Sequence, residues 1–569
     1  MERVREAATA QRARQLRPVG PNYKWIALTN TTLGALMASI DASIVLISLP
    51  AIFKGIQINP LAPGETGYFL WVLMGYMVVT TTLLVTFGRI SDMFGRVRLY
   101  NLGFAIFTVG STLLALIPST GSTGALELII FRLIQGLGAG FLFSNSAAIL
   151  TDAFPPQERG RALGINQIAA ISGQFIGLVL GGVLAAIDWR LVFIVSVPVG
   201  LAGTIWAYTM LRETATTRSA RRIDWLGNIT FAVGLTSLLL GITYGIEPYG
   251  SSPMGWTNPF VIAAIVLGVV LLVAFVYIEA HSDDPMFQLS LFKIRMFTAG
   301  SISAFLSALG RGGLQFMLII WLQGIWLPLP FGFVAMGPIA GYLSDRFGAR
   351  VFSTIGMLIQ CAGFIALTLL PVNFPYLAFA IIIFFLGCGS GLFAAPNTAS
   401  IMSSVPAESR GVASGMRATF QNGAMVCSIG VFFSLVIGVL ANVLPTTFFN
   451  GLTKYDVPAS VATQIAHLPP TAALFGAFLG YNPVAQLLPP QVLAAIGPTN
   501  SSILLGKEFF PHLISTPFMQ GLHVAFYVSA ALCLIGAAAS FLRGPRLVTV
   551  TNAEATAKSV TEDTIAAAQ

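Results

Sequence analysis

Charged residues are scarce in this sequence of 569 residues, where Asp, Glu, Lys and Arg together make up 9 % of the chain. Soluble domains carry about 25 % of such residues, so the chain has too little polar surface to cover a water-facing globule. Hydrophobic residues make up 55 % of the chain, and the mean hydropathy is +0.81. The composition excludes a soluble protein and indicates one that is embedded in a membrane.

Catalytic and metal-binding motifs are also missing. The chain has four cysteines, all inside apolar runs and none in a CxxC pair, which argues against a disulfide framework or a metal site. The sequence contains no HExxH, no Gly-rich phosphate loop and no nucleophile–base set. We therefore expect neither an enzyme nor an ATP-driven pump, and we expect no metal and no cofactor.

Long apolar runs recur along almost the whole chain. Each is long enough to cross a hydrocarbon core of about 30 Å as a helix, and continuous rather than alternating hydrophobicity favours helices over a membrane barrel. The runs predict fourteen transmembrane helices, at residues 25–53, 67–87, 99–118, 124–150, 162–187, 189–211, 225–246, 259–280, 298–325, 328–344, 351–371, 375–402, 411–442 and 518–543.

Basic residues are concentrated on one side of this topology. Of the 30 Lys and Arg residues, 24 fall in the two tails or at the loops on their side, four fall at the opposite loops and two lie deep within helices. The positive-inside rule then predicts a cell-membrane protein with both termini in the cytoplasm. Because this placement explains the net charge of +8, we expect no nucleic-acid partner.

Two stretches of the sequence occur twice at nearly the same displacement. "GRISDMFG" at 88–95 matches "GYLSDRFG" at 341–348, an offset of 253 residues. "GLGAGFLFSNSAAILTDAFPPQERGRALG" at 136–164 matches "GCGSGLFAAPNTASIMSSVPAESRGVASG" at 387–415, an offset of 251. The matching phrases lie on the same predicted side of the membrane. The duplication predicts an all-α protein of two six-helix bundles, related by a parallel repeat and facing each other across a central cavity.

The offset between the repeats spans eight predicted helices, two more than a six-helix bundle contains. We therefore predict that the seventh and eighth helices form a hairpin inserted between the bundles. The domains that follow are a basic N-terminal segment (1–24), a first bundle (25–211), a linker with the inserted hairpin (212–297), a second bundle (298–543) with an extracytoplasmic segment at 443–517, and a disordered tail (544–569). We expect segment 443–517 to form a partly structured cap, with disorder as the alternative. The compressed ninth and tenth helices indicate either a short, distorted tenth helix or an impairing deletion.

Several motifs carry a resemblance to a known family. "GRISDMFGRVR" at 88–98 resembles the signature between the second and third helices of the major facilitator superfamily, and "LIIFRLIQGLGAG" at 128–140 resembles its fourth-helix motif. "IDASIVLISLP" at 40–50, "SGQFIGLVLGG" at 172–182 and the fourteen helices resemble its drug:proton antiporter branch, although Leu178 replaces the usual proline. The resemblance implies secondary transport by alternating access.

The repeated charged phrase is the first candidate site. We predict that Asp92 lies near the start of the thirteenth helix and Asp345 near the start of the fifth, where the helix dipole stabilises a carboxylate by about 0.3–1 kcal/mol. The motif would then form a cytoplasmic latch between the bundles, and the alternative is positive-inside anchoring alone. Its residues are Gly88, Arg89, Asp92, Gly95, Arg96, Gly341, Asp345, Arg346 and Gly348.

Asp41 is the only carboxylate deep within a predicted helix, and Arg132 lies at a comparable depth in another. Intramembrane ionisable groups usually face a cavity or one another. Burial favours a neutral carboxyl whereas a nearby arginine favours the ionised form, so a changing distance between the two would load and release a proton. The alternative is a static ion pair that only fixes helix packing.

Other residues are candidates for close packing or for contact with substrate. Gly173, Gly177 and Gly181 recur every four residues and are followed by Gly182, a pattern that permits close helix approach and that resembles the antiporter motif. The candidates for lining or gating the cavity are Arg311, Gln174, Asn145, Gln421 and Asn422, although hydrogen bonding between helices explains the polar ones nearly as well.

These observations predict a monomeric, proton-coupled exporter of amphiphilic or cationic small molecules. The alternatives are a dedicated transporter of one metabolite, such as a lipid, siderophore or antibiotic, and a proton symporter. A membrane-embedded enzyme or scaffold is the weakest reading. The sequence leaves the substrate and the proton stoichiometry open.

Overall fold

The computed structural model is built from helices throughout the part of the chain that it describes. This part comprises residue 20 and residues 22–58, 65–155, 158–213, 224–250, 252, 254–282, 285, 287–322, 328–406, 410–478, 482–506 and 508–544. Within these ranges, the side chains of some helical residues lie outside the description, among them those of Asp92 and Asp345.

The long helices follow the apolar runs of the sequence. The first bundle contains α1 (Tyr23–Gly55), α2 (Thr66–Phe94), α3 (Arg96–Ala115), α4 (Gly121–Ala153), α5 (Arg159–Ile187), α6 (Leu191–Ile194) and α7 (Ser196–Met210). The inserted hairpin is α8 (Trp225–Gly245) and α9 (Pro259–His281), and a 3-10 helix (Leu289–Lys293) follows it. The second bundle contains α10 (Arg295–Leu322), α11 (Pro328–Phe347), α12 (Ala349–Thr368), α13 (Tyr376–Ser403), α14 (Arg410–Thr453) and, at its end, α20 (Phe509–Phe541).

Eleven of the described helices are long and apolar enough to cross a membrane. Two shorter apolar stretches, Trp71–Leu84 and Phe331–Ser344, lie within α2 and α11. The helical, membrane-spanning class is therefore confirmed, whereas the count of fourteen spans, the orientation of the termini and the domain boundaries stay predictions.

The two bundles repeat the same packing pairs. In the first bundle α1 packs on α5, α2 on α4, α3 on α4 and α3 on α7, and in the second α10 packs on α14, α11 on α13, α12 on α13 and α12 on α20. Close glycine contacts recur at equivalent places. A Cβ built on Gly138 would lie 2.8 Å from the carbonyl oxygen of Gly103, and one on Gly389 would lie 2.8 Å from that of Gly356. The sequence duplication is thus a structural repeat.

The matching charged phrases lie on the same face of the molecule. Thr81 of α2, which ends at Phe94, lies beside Gly423 of α14, which begins at Arg410. Thr243 of α8 contacts Met74 of α2, and Ile242 contacts Gly430 of α14, so α2 and α14 run in opposite directions. The end of α2 and the start of α14 therefore lie on one side, which we call the basic face.

The second charged phrase lies at the basic face too. Arg350 beside it packs on Phe541, whose neighbour Leu542 accepts a hydrogen bond from Arg295 at the start of α10. Close to that start, Phe292 contacts Phe420 of α14. The turns that begin α3 and α12 are alike, with φ of +111° at Gly95 and +89° at Gly348, a conformation that glycine adopts at little cost.

The inserted hairpin packs across the seam between the bundles. Helix α8 contacts both α2 and α14. The indole nitrogen of Trp71 on α2 donates a hydrogen bond to the Tyr244 hydroxyl at 2.8 Å, and Gly430 of α14 packs against Ile242. The hairpin therefore joins α2 and α14 near the face opposite the basic one.

The turn after α8 holds a carboxylate whose ionisation we expect to affect stability. Burial raises the pKa of Glu247 from 4.5 to about 6, and its Oε1 is buried with no hydrogen-bond partner among the described residues. The folded state therefore binds the proton of the Glu247 carboxyl more tightly than the unfolded state does. Protonation of Glu247 stabilises the folded state fully below pH 4.5, and this stabilisation is lost as the pH rises through 6. We expect Glu247→Gln to match the wild type in melting temperature near pH 4 and to exceed it near pH 7.5.

Thermal unfolding of the purified protein at the two pH values checks this expectation. The exposed Glu508 is the matched control, and Glu508→Gln should show the same small difference from the wild type at both. If the difference in melting temperature between Glu247→Gln and the wild type is the same at both pH values, the expectation is wrong.

The segment after the second bundle's long helix is also helical. Helix α14 has 44 residues and continues to Thr453, well past the predicted end at residue 442. It is followed by α15 (Ala459–Ala466), α16 (Pro470–Phe478), α17 (Pro483–Leu487), α18 (Pro490–Ala495) and α19 (Gly497–Leu505). The Asn482 amide donates to the carbonyl oxygens of Leu504 at 2.7 Å and Gly506 at 3.1 Å, so the short helices form an ordered cap.

The compressed region contains a helix of full length. Helix α11 has 20 residues with Pro338 inside it, which corresponds to about 30 Å of helix and suffices for a crossing. Residues 323–327, which connect it to α10, lie outside the described part of the chain.

The glycine motif brings α1 and α5 into backbone contact. A Cβ on Gly173 would lie 2.6 Å from the Leu36 carbonyl oxygen and 3.0 Å from Ser39 Cβ, and Gly177 and Gly181 likewise face α1. A Cβ on Gly182 would have no heavy atom of a neighbouring element within 4 Å. The first three glycines are therefore required for packing, and the fourth is not.

We expect Gly173→Ala to lower the free energy of unfolding by about 1–3 kcal/mol, since the methyl group forces α1 and α5 apart. Gly182→Ala is the matched control on the same helix and should change stability by less than about 0.5 kcal/mol. Chemical unfolding of the two detergent-solubilised variants measures both. Equal effects of the two substitutions would refute the packing role.

Candidate proton-coupling and substrate site

The two predicted intramembrane charges form an ion pair. Asp41 lies near the middle of α1, and Arg132 lies in α4, so the packing of these two helices brings the side chains together. The Arg132 Nη1 donates to the Asp41 Oδ2 at 2.6 Å, and both side chains are buried. The pairing that the sequence predicted is present.

Neutral polar groups complete the site. The Gln135 amide nitrogen donates to the Asp41 Oδ1 and to the Ser111 hydroxyl, each at 2.8 Å, and its oxygen accepts from Arg132 at 2.6 Å. The Arg132 guanidinium also lies over the Tyr76 ring, 4.4 Å from its centroid. Both carboxylate oxygens of Asp41 therefore accept a charge-assisted or amide hydrogen bond.

This arrangement can hold or release a proton at one carboxylate. In a dry site the ionised carboxylate is stable only while its donors remain in place. If α1 and α4 shift so that Arg132 moves away, the lone carboxylate is better satisfied as the neutral acid. A change in the distance between Arg132 and Asp41 would therefore change how readily Asp41 takes up a proton.

The charged motif at the basic face is only partly described. The Arg96 Nη1 donates to both oxygens of Asp152, at 2.8 and 2.9 Å, so Arg96 pairs within the first bundle. Gly88 lies inside α2 rather than in a loop. The side chains of Asp92 and Asp345 lie outside the described structure, so the latch between the bundles stays a prediction.

A residue that the sequence did not single out completes the turn after Gly95. The Glu213 carboxylate accepts from the backbone nitrogens of Arg96 at 2.9 Å and Val97 at 3.2 Å. It therefore satisfies free N–H groups at the start of α3, as a capping carboxylate does. Arg346 is exposed, with its guanidinium 5.7 Å from the centroid of the Phe347 ring.

The polar candidates for the cavity separate into two groups. Asn145 is buried, and its amide donates to the Phe141 carbonyl oxygen of its own helix at 2.9 Å, which explains it without a ligand. Gln174, Gln421 and Asn422 are half-buried. These three keep part of their surface exposed, and their role as cavity residues stays a prediction.

Two arginines lie more than one turn from either end of their helices in the second bundle. Arg311 of α10 is flanked by Gly310, which packs near Ser529 of α20, and Gly312, which contacts Met425 of α14. Arg417 of α14 donates to the Gln421 side-chain oxygen at 2.9 Å. The Nε of each arginine is buried and has no hydrogen-bond partner among the described residues. Arg417 falls within the predicted thirteenth helix (411–442) and lies about two turns inside α14.

Comparison with known proteins places the chain in a family. A sequence model of the Major Facilitator Superfamily matches residues 31–431 and 295–506. The chain therefore belongs to this superfamily of multi-pass membrane transporters and is not an enzyme, as the motifs predicted.

Individual relatives agree with the membership. The chain is 29 % identical over 426 residues to the riboflavin transporter RibZ of Clostridioides difficile, covering 72 % of this chain and 88 % of that protein. It is 30 % identical over 456 residues to the multidrug resistance protein Stp of Mycobacterium tuberculosis, covering 77 % and 80 %. The crystal structure of the POT family transporter PepTSo matches with a TM-score of 0.52 at 13 % identity, covering 81 % of this chain and 98 % of that one, which supports the fold alone.

Proposed function

We propose that the protein is a proton-coupled secondary transporter that exports amphiphilic small molecules across the cell membrane by alternating access. A proton enters as the substrate leaves, so the proton gradient supplies the energy and no bound cofactor is needed. The protein acts as a monomer, because each chain contains both bundles. The buried Asp41–Arg132 pair carries the proposal, since it offers one site at which helix movement and protonation are linked.

Relatives named as multidrug transporters support export of varied compounds. The glycine contacts between α1 and α5 give the antiporter-like motif a structural role in packing. The basic face is the cytoplasmic one in this proposal, in keeping with the positive-inside rule.

A second candidate function is transport of one dedicated metabolite. The similarity to a protein named as a riboflavin transporter favours it. A panel of substrates separates the two functions, because a dedicated transporter moves one chemical type whereas a multidrug exporter moves several.

The proposal is tested by uptake of substrate into proteoliposomes whose lumen is more acidic than the medium, so that protons leave the lumen as substrate enters it. We expect the gradient to drive several amphiphilic compounds and a protonophore to stop them. Flux of only one compound would favour the dedicated transporter. Flux that runs with the proton rather than against it would replace antiport by symport, and flux that is indifferent to the gradient would refute proton coupling.

A further inference from the structure

The second bundle contains buried positive charge without matching negative charge. Its helices α10–α14 and α20 include only one acidic residue, Asp345, which is third from the end of α11 at the basic face. Arg311 is 16 residues from the start of α10, which is about 24 Å of helix. Asp345 is therefore too far along the bundle to neutralise it. The first bundle differs, because its central arginine is paired with Asp41.

Neither Arg311 nor Arg417 forms an ion pair with any residue that the structure describes. Arg417 makes one hydrogen bond, to the neutral Gln421, and the Nε atoms of both arginines are buried and unpartnered. A buried charge that lacks a counter-ion is costly, and in a membrane it commonly marks a path for substrate or ions. No described residue supplies this counter-ion, and for Arg311 the one acidic residue of these helices is too distant to do so.

The position of the two arginines suits a transported molecule. They lie on α10 and α14, which pack together, and α14 meets α2 of the other bundle at Gly423 and Thr81, one and a half turns from Arg417. Both side chains keep part of their surface accessible although their Nε atoms are buried. A guanidinium binds a carboxylate through two parallel hydrogen bonds, which a neutral or cationic molecule cannot accept in the same way.

We propose that the transported substrate is an amphiphilic anion, whose carboxylate or phenolate is bound by the positive charge of Arg311 and Arg417 on the neighbouring helices α10 and α14 while its apolar body contacts the bundle interior. This inference rests on the proposed function and narrows it, since it excludes the lipophilic cations that the sequence had left open. The competing source of negative charge is the headgroup of an anionic lipid, which the experiment below separates from substrate.

Three probes that share one apolar body test the proposal: 4-(1-naphthyl)butyrate, the corresponding alcohol and the corresponding amine. Their binding to the full-length protein in phosphatidylcholine nanodiscs is measured by calorimetry, with empty nanodiscs subtracted. We expect the carboxylate to bind about tenfold or more tightly than the alcohol or the amine. Arg311→Gln and Arg417→Gln should each remove about tenfold of its affinity, and Arg311→Lys and Arg417→Lys should keep part of the preference.

The exposed Lys454 provides the control, since Lys454→Gln removes a positive charge outside the proposed site and should leave all three affinities unchanged. Equal binding of the three probes, or a preference that survives both glutamine variants, overturns the proposal. Where a glutamine variant does not fold, the wild-type preference and the lysine variants decide. If phosphatidylglycerol in the nanodisc abolishes carboxylate binding, the lipid headgroup is the counter-ion and the substrate proposal fails.

The outcome is independent of proton coupling, because binding is measured without a pH gradient. A carboxylate preference that is intact in a protein without gradient-driven flux would refute the proposed function and retain the anion site. Gradient-driven flux of cations by a protein that binds no anion would support proton-coupled transport and refute the anion site.

Discussion

Proteoliposomes that contain Asp41→Asn are expected to lose about 100-fold or more of the gradient-driven flux of the wild type, the scale on which a single proton-transfer group acts. Asparagine has nearly the size of aspartate and can still accept a hydrogen bond from Arg132, but it cannot take up and release a proton. The paired measurement is exchange of substrate at equal concentration on both sides, which needs no net proton movement. We expect Asp41→Asn to retain this exchange.

The matched control for Asp41→Asn is the same substitution at Asp188, an exposed residue between α5 and α6 whose carboxylate accepts from the Arg190 backbone nitrogen at 2.8 Å. Asp188→Asn should keep both gradient-driven flux and exchange. If Asp41→Asn also keeps its gradient-driven flux, the pair is a static one that fixes helix packing, as the alternative interpretation of the sequence holds.

The second large effect concerns stability. We expect Arg132→Leu to lower the free energy of unfolding by about 3–5 kcal/mol, because it leaves the buried Asp41 carboxylate with Gln135 as its remaining donor. Chemical unfolding of the detergent-solubilised protein, followed by far-UV circular dichroism, measures the change. The loss should be visible as poor recovery of folded protein during purification as well.

Replacement of both Asp41 and Arg132 shows whether the stability loss of Arg132→Leu comes from an unpaired charge or from a packing defect. The double variant Asp41→Leu with Arg132→Leu should recover most of the lost stability, because apolar groups of similar volume often replace a buried ion pair without cost. Arg98→Leu, at an exposed position of α3, is the single-site control and should change stability by less than about 0.5 kcal/mol. A double variant as unstable as Arg132→Leu alone would show that packing at these positions, rather than charge, determines the effect.

Most helices were predictable because burial in a membrane requires continuous apolar runs. The first predicted span, residues 25–53, corresponds to α1 (Tyr23–Gly55). The ends were less predictable where helices leave the apolar region. Helix α2 continues past residue 87 to Phe94 through a charged stretch, and α14 continues past residue 442 to Thr453. Hydropathy identifies only the apolar segment of a helix, whereas the backbone hydrogen bonds that define the helix continue beyond that segment.

The residues of the candidate site were predictable where their type is rare in membrane helices. A carboxylate within an apolar run stands out, so Asp41 and its partner Arg132 were found from the sequence. Gln135 and Tyr76 were missed, because neutral polar and aromatic residues are common in membrane helices, although the spacing of three residues between Arg132 and Gln135 was a usable signal. Arg417 was not chosen as a candidate, because it lies only seven residues from Arg410 and resembles the basic residues at the cytoplasmic ends of helices.

The unusual length of α14 has a mechanical consequence. Its 44 residues correspond to about 66 Å, so the rod is much longer than a membrane is thick. Its inner part touches both halves of the molecule, and its far end leads into the cap. A tilt of α14 by about 10° about its midpoint would move its end by about 6 Å, because each half of the helix is about 33 Å long. A small rotation near the centre of the molecule would therefore displace the cap by several ångströms.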